Sequence, residues 1–344
     1  MSKSIKVIVG IPTYNRAEWL RESITSVLSQ SYRDFRLVIS DNASDDGTDE
    51  VVASFDDSRI DYVRASSNTG SISNFNRIVE LADREFLTIL PDDDVMYPEY
   101  LSSTVPLLGS HESVGVLHTG HKLIDKDSRV LMTNPLPTDD PVRLEHGDEY
   151  LLRSMRSPFG TICWTSVLFR TEAMASAGGL KATEQPFADV PLFMRIALHW
   201  DVLSLSEPLV GVRVHEGSET AAAVGTFTGT DYDTLGLPEV LFDRRMQFLD
   251  HAAGQGVETE RYRRIAERAL RRESVRVVAN KAGTGAPWKW TTSELARLVR
   301  ADRRTLLAPM AWRLVAAQLG GRQVNRLVQR AVPRPSGRSG PESS

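Results

Sequence analysis

Cysteine occurs once, at Cys163, so the chain closes no disulfide within itself. A lone thiol fits a reducing compartment, and a cytoplasmic location is the expectation. A glycine-rich turn is also missing. The first strand runs into "IPTYNRAEW" without GxGxxG, and no GxxxxGK[ST] follows anywhere, which excludes a Rossmann dinucleotide site and a P-loop. The same absence counts against a sugar nucleotidyltransferase, which would start with a glycine-rich phosphate loop. No apolar run is long enough to span a bilayer; the best candidate, "TLLAPMAWRLVAAQLGG", is broken by Pro309 and Arg313. The apolar run of "MSKSIKVIVGIP" is too short for a signal h-region and reads as a strand. Internal repeats are absent as well.

What is present is a soluble globular composition, 41% hydrophobic and 25% charged over 344 residues, enough for a substantial core. The net charge of −4 hides a split. Residues 251–344 hold 19 Lys and Arg against 7 Asp and Glu, while the first 250 hold 22 against 38. Two modules with different surfaces are therefore expected.

The first hundred residues alternate strand and helix. "KVIVGI", "FRLVISD", "IDYVRAS" and "FLTIL" are short β-branched runs. "EWLRESITSVLSQ", "GTDEVVASF" and "SISNFNRIVELA" separate them with helical spacing. This alternation predicts a parallel sheet covered on both faces, whose ligands bind beyond the carboxyl ends of the strands. The segments placed there are "PTYN", "DNASDDGT", "SSNTG" and "PDDD". Further on, "VGVLHTGHKLID", "SVLFRT" and "PLVGVRVHEGSET" read as strands and "ADVPLFMRIALHW" as a helix. Residues 221–235 read as a linker and 236–332 as a basic helical region. In that region Tyr262, Ile265, Ala266, Ala269 and Leu270 make one apolar stripe, Thr291 and Glu294 have capping-box spacing, and Gly320-Gly321 end a helix. Residues 333–344 read as disordered.

Three adjacent carboxylates, Asp92, Asp93 and Asp94, repel one another unless a cation offsets them. Directly after a buried strand they suit a Mg²⁺ or Mn²⁺ ion, which takes carboxylate and phosphate oxygens together. Asp94, nearest the following helix, is the most structural of the three. Asp41, at the tip of the second strand, either opens an Asx-turn or accepts a hydrogen bond from the ring N–H of uracil, thymine or guanine. His118 and His121 stand three apart on a strand, face opposite sides and do not make a zinc pair. Cys163 beside Trp164 reads as a core residue.

In the order "IPTYNR", "VISDNASDDGT", "NTGSISNFNR", "FLTILPDDDVMYPEYL", "GGL", "FADVPLFMRIAL" and "VRVHEGSET", residues 5–220 resemble the family 2 glycosyltransferases. The resemblance implies a GT-A fold, a Rossmann-like mostly parallel sheet sandwiched by helices, over residues 1–220, followed by the helical region. It implies inverting, metal-dependent sugar transfer from a nucleoside diphosphate sugar to an acceptor hydroxyl. Carried over by position, Pro12, Thr13 and Tyr14 line the base pocket with Asp41. Asp92 then faces the ribose, Asp93 binds the metal and Asp189 is the catalytic base. His215 falls in the late loop that approaches the diphosphate or metal. The chain departs from the pattern at Pro91, where the first Asp of D-x-D would stand, and at Ala188, which leaves one carboxylate before the "DVPLFMR" helix.

A catalytically silent nucleotide-sugar-binding or scaffold protein is the alternative. The C-terminal arginines, with Trp288, Trp290 and Trp312, suit a peripheral membrane contact at the inner face. They carry no aromatic-basic motif, so no nucleic-acid partner is expected.

Overall fold

A computed structural model describes residues 6–134, 136, 140–157, 162–215, 237–283 and 288–301. The linker read at 221–235, the Gly320-Gly321 helix end, Trp312 and the tail at 333–344 lie outside these residues. The chain divides into two compact units, Met1–Asp231 with Val240–Ala266, and Tyr232–Glu239 with Glu267–Ser344.

The first unit is built on one ten-stranded sheet. Its strands are β1 (Val7–Thr13), β2 (Phe35–Asp41), β3 (Ile60–Arg64), β4 (Phe86–Ile89), β5 (Val95–Met96), β6 (Val114–Ile124), β7 (Val130–Asn134), β8 (Val142–Glu145), β9 (Val167–Arg170) and β10 (Asp201–Arg213). The order is β3-β2-β1-β4-β9-β6-β10-β5, with β7 on β6 and β8 on β10. The half formed by β3, β2, β1 and β4 is parallel throughout. Strand β9 pairs antiparallel with both β4 and β6, which turns β6 and its parallel partner β10 back to the direction of β4. Six strands thus share one direction. Strand β1 is buried along its whole length, which is why its sequence is continuously apolar rather than alternating.

The covering helices follow their apolar spacing. In α1 (Ala17–Leu28), Leu20, Ser23, Ile24 and Val27 are buried. Helices α2 (Thr48–Ala53) and α3 (Ser71–Leu81) follow β2 and β3. Gly10 lets α3 lie close on β1: a Cβ there would sit 2.2 Å from the Ile78 side chain. Helix α4 (Tyr100–Gly109) follows β5, α5 (Gly147–Arg156) follows β8 and α6 (Thr171–Ser176) follows β9. Helix α7 (Asp189–Ala197) is buried on every side from Val190 to Ala197, so its sequence is apolar all round apart from Arg195. That guanidinium is held by Glu184 at 2.6 Å and by the carbonyls of Ala177 and Gly179.

Helix α8 spans Leu237–Gly254 and α9 spans Glu260–Gly283. The sequence reading closes the catalytic region at 220, whereas the packing carries the first unit on through 240–266. The reason is visible at Arg245, which is buried and donates to the carbonyls of Ser154 at 2.8 Å and Ser157 at 2.7 Å. In the second unit, Val275, Val277 and Val278 of α9 are buried, and α10 covers Trp288–Ala301. Helix α10 starts three residues before Thr291, so Thr291 and Glu294 are not a capping box. The buried Thr291 lies within the helix, and Glu294 pairs with Arg297 at 2.7 Å. No helix among the described residues is long and apolar enough to cross a membrane.

Candidate active site

The loops beyond the carboxyl ends of β1, β2 and β3 are tied together by hydrogen bonds. The Asn15 N–H donates to Ser44 Oγ at 3.0 Å, and the Asp45 N–H donates to Asn15 Oδ1 at 2.9 Å. Asn42 Nδ2 donates to Asn68 Oδ1 at 2.7 Å. Asn15 and Ala43 take left-handed φ values of 52° and 67°, which turns both loops sharply at the strand ends. The loop after β4 lies against the first of these, with Asp92 facing Thr13 and Tyr14. One crevice therefore receives all four segments, as the strand order requires.

Within it, Pro12 and Thr13 are buried and Tyr14 is 43% exposed, so an aromatic face stands open at the mouth. The buried Thr13 hydroxyl approaches the Asp92 carboxyl without the geometry of a hydrogen bond, and has no partner among the described residues. Asp41 is fully buried and both its oxygens are engaged. Oδ1 accepts from the Ser44 N–H at 2.8 Å and from Ser44 Oγ at 2.6 Å. Oδ2 accepts from the Tyr62 hydroxyl at 2.5 Å and lies 3.5 Å from Arg64 Nε. Asp41 builds an Asx-turn here, and a base N–H reaches it only if Tyr62 or the Ser44 turn gives way.

The three acids of the β4 turn have three different surroundings. Asp92 is buried, and burial, reinforced by the charge of Asp93, pushes its carboxyl up to about 7. Asp94 is structural. Its Oδ1 accepts from the Arg213 N–H at 2.8 Å and its Oδ2 from the Thr165 hydroxyl, and burial raises its pKa. Asp93 alone turns its carboxylate towards an open side, where Oδ2 lies 2.9 Å from His215 Nε2 and 3.7 Å from Arg16 Nη1.

Three of the residues that place these acids carry no sequence signal of their own. Arg213, whose side chain has no exposure, donates from Nε to the Asp93 carbonyl at 2.7 Å and from Nη2 to Glu22 at 2.7 Å. Ser23 Oγ contacts the carbonyls of Asp92 at 2.9 Å and Asp94 at 2.7 Å. Trp19 lies with its ring centroid 4.3 Å from that of His215. Polar residues inside a helix or strand are invisible as site residues until the tertiary fold sets them beside one another.

Asp189 opens α7 after a loop in which Phe187 is held at φ 69°. Burial pushes its carboxyl up to about 6, against the helix's first N–H groups at Asp189 and Val190. Cys163 lies within electrostatic range of both Asp94 and Asp189, and burial with those two charges raises its thiol to about 12. Asp189 and Asp94 thus both lie near Cys163. A cavity of about 470 Å³ lies beside the crevice, between the start of α3 and Leu180–Gln185; neither Asp93 nor Asp189 lines it. His118 is pushed down to about 3 by burial, and no group of three metal-ligating side chains occurs among the described residues.

A divalent ion fits this site in part. Asp93 Oδ2 and His215 Nε2, 2.9 Å apart, are the two atoms that would hold such an ion. With two protein donors, the remaining positions fall to substrate oxygens and water.

Residues 8–175 match the model of Glycosyl transferase family 2. EpsE of Bacillus subtilis (strain 168) is 27% identical over 201 residues, covering 56% of this chain and 66% of that relative. The chain thus spans just under two thirds of that relative. Among solved structures, S. aureus TarS 1–349 in complex with UDP-GlcNAc superposes with a TM-score of 0.61 at 17% identity, over 95% of this chain and 91% of that one. The mannosyltransferase PcManGT from Pyrobaculum calidifontis, in complex with GDP-Man and Mn²⁺, gives 0.53 at 18% identity over 92% and 87%. At such identities these two show a shared fold. The likeness to glycosyl transferase family 2 spans residues 8–175, a little under half of the chain.

Proposed function

We propose that this protein transfers a sugar from a nucleoside diphosphate sugar to an acceptor hydroxyl, with inversion at the anomeric carbon. The observation that carries the reading is the meeting of Asp93 and His215 in the crevice beyond the strand ends. The nucleotide sugars in the TarS and PcManGT complexes support the donor class. Tyr14 offers an aromatic face to the base and Asp92 a hydrogen-bonding carboxyl to the ribose.

Asp93 and His215 would hold a Mg²⁺ or Mn²⁺ ion, which supplies positive charge for a departing diphosphate. Mn²⁺ in the PcManGT complex supports that choice. Asp189 takes the proton from the acceptor hydroxyl as its oxygen bonds to the anomeric carbon. The bond from that carbon to the diphosphate oxygen breaks on the opposite face, and the nucleoside diphosphate leaves with the bonding pair. A carboxyl raised to about 6 suits this task, because it is ionised at neutral pH yet more basic than an ordinary aspartate.

Donor hydrolysis or transfer in the presence of Mn²⁺, assayed with UDP-, dTDP- and GDP-sugars, tests the reading. Turnover should vanish in Asp93→Ala while circular dichroism is unchanged. Tight binding of donor with no turnover on any acceptor would instead favour the silent binding protein, the reading that the missing acids at Pro91 and Ala188 motivate.

A further inference from the structure

Arg16 immediately precedes α1, and its guanidinium is held from three sides. Nη1 lies 3.7 Å from Asp93 Oδ2 and 3.4 Å from His215 Nε2, and the group sits 5.4 Å from the Trp19 ring centroid. The two donor atoms that suit a divalent ion are therefore already faced by a cation. A guanidinium stays charged at every working pH, so protonation cannot remove it. Its side chain is 26% exposed and that of Asp93 16%, so solvent only partly screens the charge. The start of α1 adds the positive end of a helix dipole at the same place.

We propose that Arg16 is the resident counter-cation of the Asp93–His215 pair, coupling metal binding to nucleotide binding. It disfavours a bare divalent ion by repulsion. It yields when the ion arrives with a diphosphate, because the anion gives the displaced guanidinium a new, bidentate partner. Arg16 is thus a positioning residue. The exclusion of the bare ion rests on geometry alone, whereas the identity of the anion rests on the glycosyltransferase reading.

The test is Mn²⁺ binding to the full chain, followed by electron paramagnetic resonance of the free ion, with and without UDP, dTDP or GDP. With Mn²⁺ alone, Arg16→Met should bind on the order of tenfold more tightly than the wild type, and Arg16→Lys should stay near it. Adding Asp93→Asn to Arg16→Met should abolish the gain, which ties it to this site. With a nucleoside diphosphate the wild-type affinity for Mn²⁺ should rise steeply, and the rise should be smaller in Arg16→Met. Thermal melts check the fold, and Arg16→Gln carries the same comparison if the methionine variant melts early. Equal or weaker Mn²⁺ affinity in the charge-free variants overturns the proposal, and leaves the glycosyltransferase reading intact if nucleotides still bind with Mn²⁺. A gain in Arg16→Met with no response to any of the three nucleotides removes that reading and the coupling, and leaves only exclusion of the bare ion.

Discussion

His215 meets Asp93 across 122 positions of sequence, Nε2 to Oδ2 at 2.9 Å. The meeting is fixed two residues earlier, where Arg213 at the end of β10 gives its N–H to Asp94 and its Nε to the Asp93 carbonyl. One acid of the turn is thereby consumed by the fold and its neighbour is left for a ligand.

That division predicts opposite phenotypes. Asp93→Asn should leave the urea midpoint near wild type and weaken Mn²⁺-dependent diphosphate binding by a factor on the order of 10 or more. EDTA should abolish that binding in the wild type. Asp94→Ala should lower stability by roughly 1–3 kcal/mol, because it strands the buried Arg213 N–H and the Thr165 hydroxyl. Urea denaturation and calorimetry on both variants check this, and identical behaviour would mean that the roles in the triplet are misassigned.

Asp189 predicts a pH profile. A base must be ionised, so kcat/KM for the acceptor should rise with pH through about 6 and then level off. Asp189→Asn should lower kcat by a factor on the order of 10²–10⁴ and remove that acidic limb, while donor affinity survives. Stability runs the other way. A carboxyl with a raised folded pKa contributes stability below its unfolded value that is lost as pH rises through about 6. Asp189→Asn should therefore raise the melting temperature more at pH 8 than at pH 4. Near-normal turnover would reduce Asp189 to a helix-starting residue.

Asp41 is tested by the base. If it accepts a ring N–H after Tyr62 gives way, UDP, dTDP or GDP should bind more tightly than ADP or CDP, by roughly 1.5–3 kcal/mol for one buried charge-assisted bond. Calorimetry across the five diphosphates measures this. Equal affinities would leave Asp41 as the residue that closes the β2 loop and nothing more.

Gly10 tests the packing beneath the site. Gly10→Ala places a Cβ 2.2 Å from Ile78 and should cost about 1–3 kcal/mol. In an Ile78→Ala background that cost should be smaller, since alanine removes Cγ2, the atom the new Cβ would meet at 2.2 Å. A double-mutant cycle by urea denaturation gives the coupling, and strict additivity would show that α3 simply shifts away.

The parallel half of the fold was legible because it is buried on both faces. "FRLVISD" coincides with β2, residue for residue, and the segments after each strand were placed correctly at one crevice. Strands β7 and β8 went unread because their residues, Val130, Leu131, Val142 and Leu144 among them, are exposed, so no alternation marks them and pairing alone defines them. At the candidate site, charged loop residues were marked by the sequence alone: Asp93 and His215, which meet in the fold, and Asp189. Their supports were not, since Arg16, Trp19, Ser23 and Arg213 acquire meaning only through partners far along the chain. Asp41 shows the converse, a carboxylate at the expected position whose oxygens the fold already uses.

Arg213 ends β10 with its guanidinium spread over Glu22, the Asp93 carbonyl and the carbonyls of Asp125 and Lys126. It lies 38 residues beyond the stretch that matches the family, which closes at 175. A fragment cut at that border would keep every acid of the β4 turn and forfeit the clamp that orients them, together with the histidine opposite. The half of this molecule that carries the family likeness therefore does not hold a self-contained site. Grafts and chimaeras that swap at the family border should yield folded but inert hybrids unless the late strand travels with its own acidic turn.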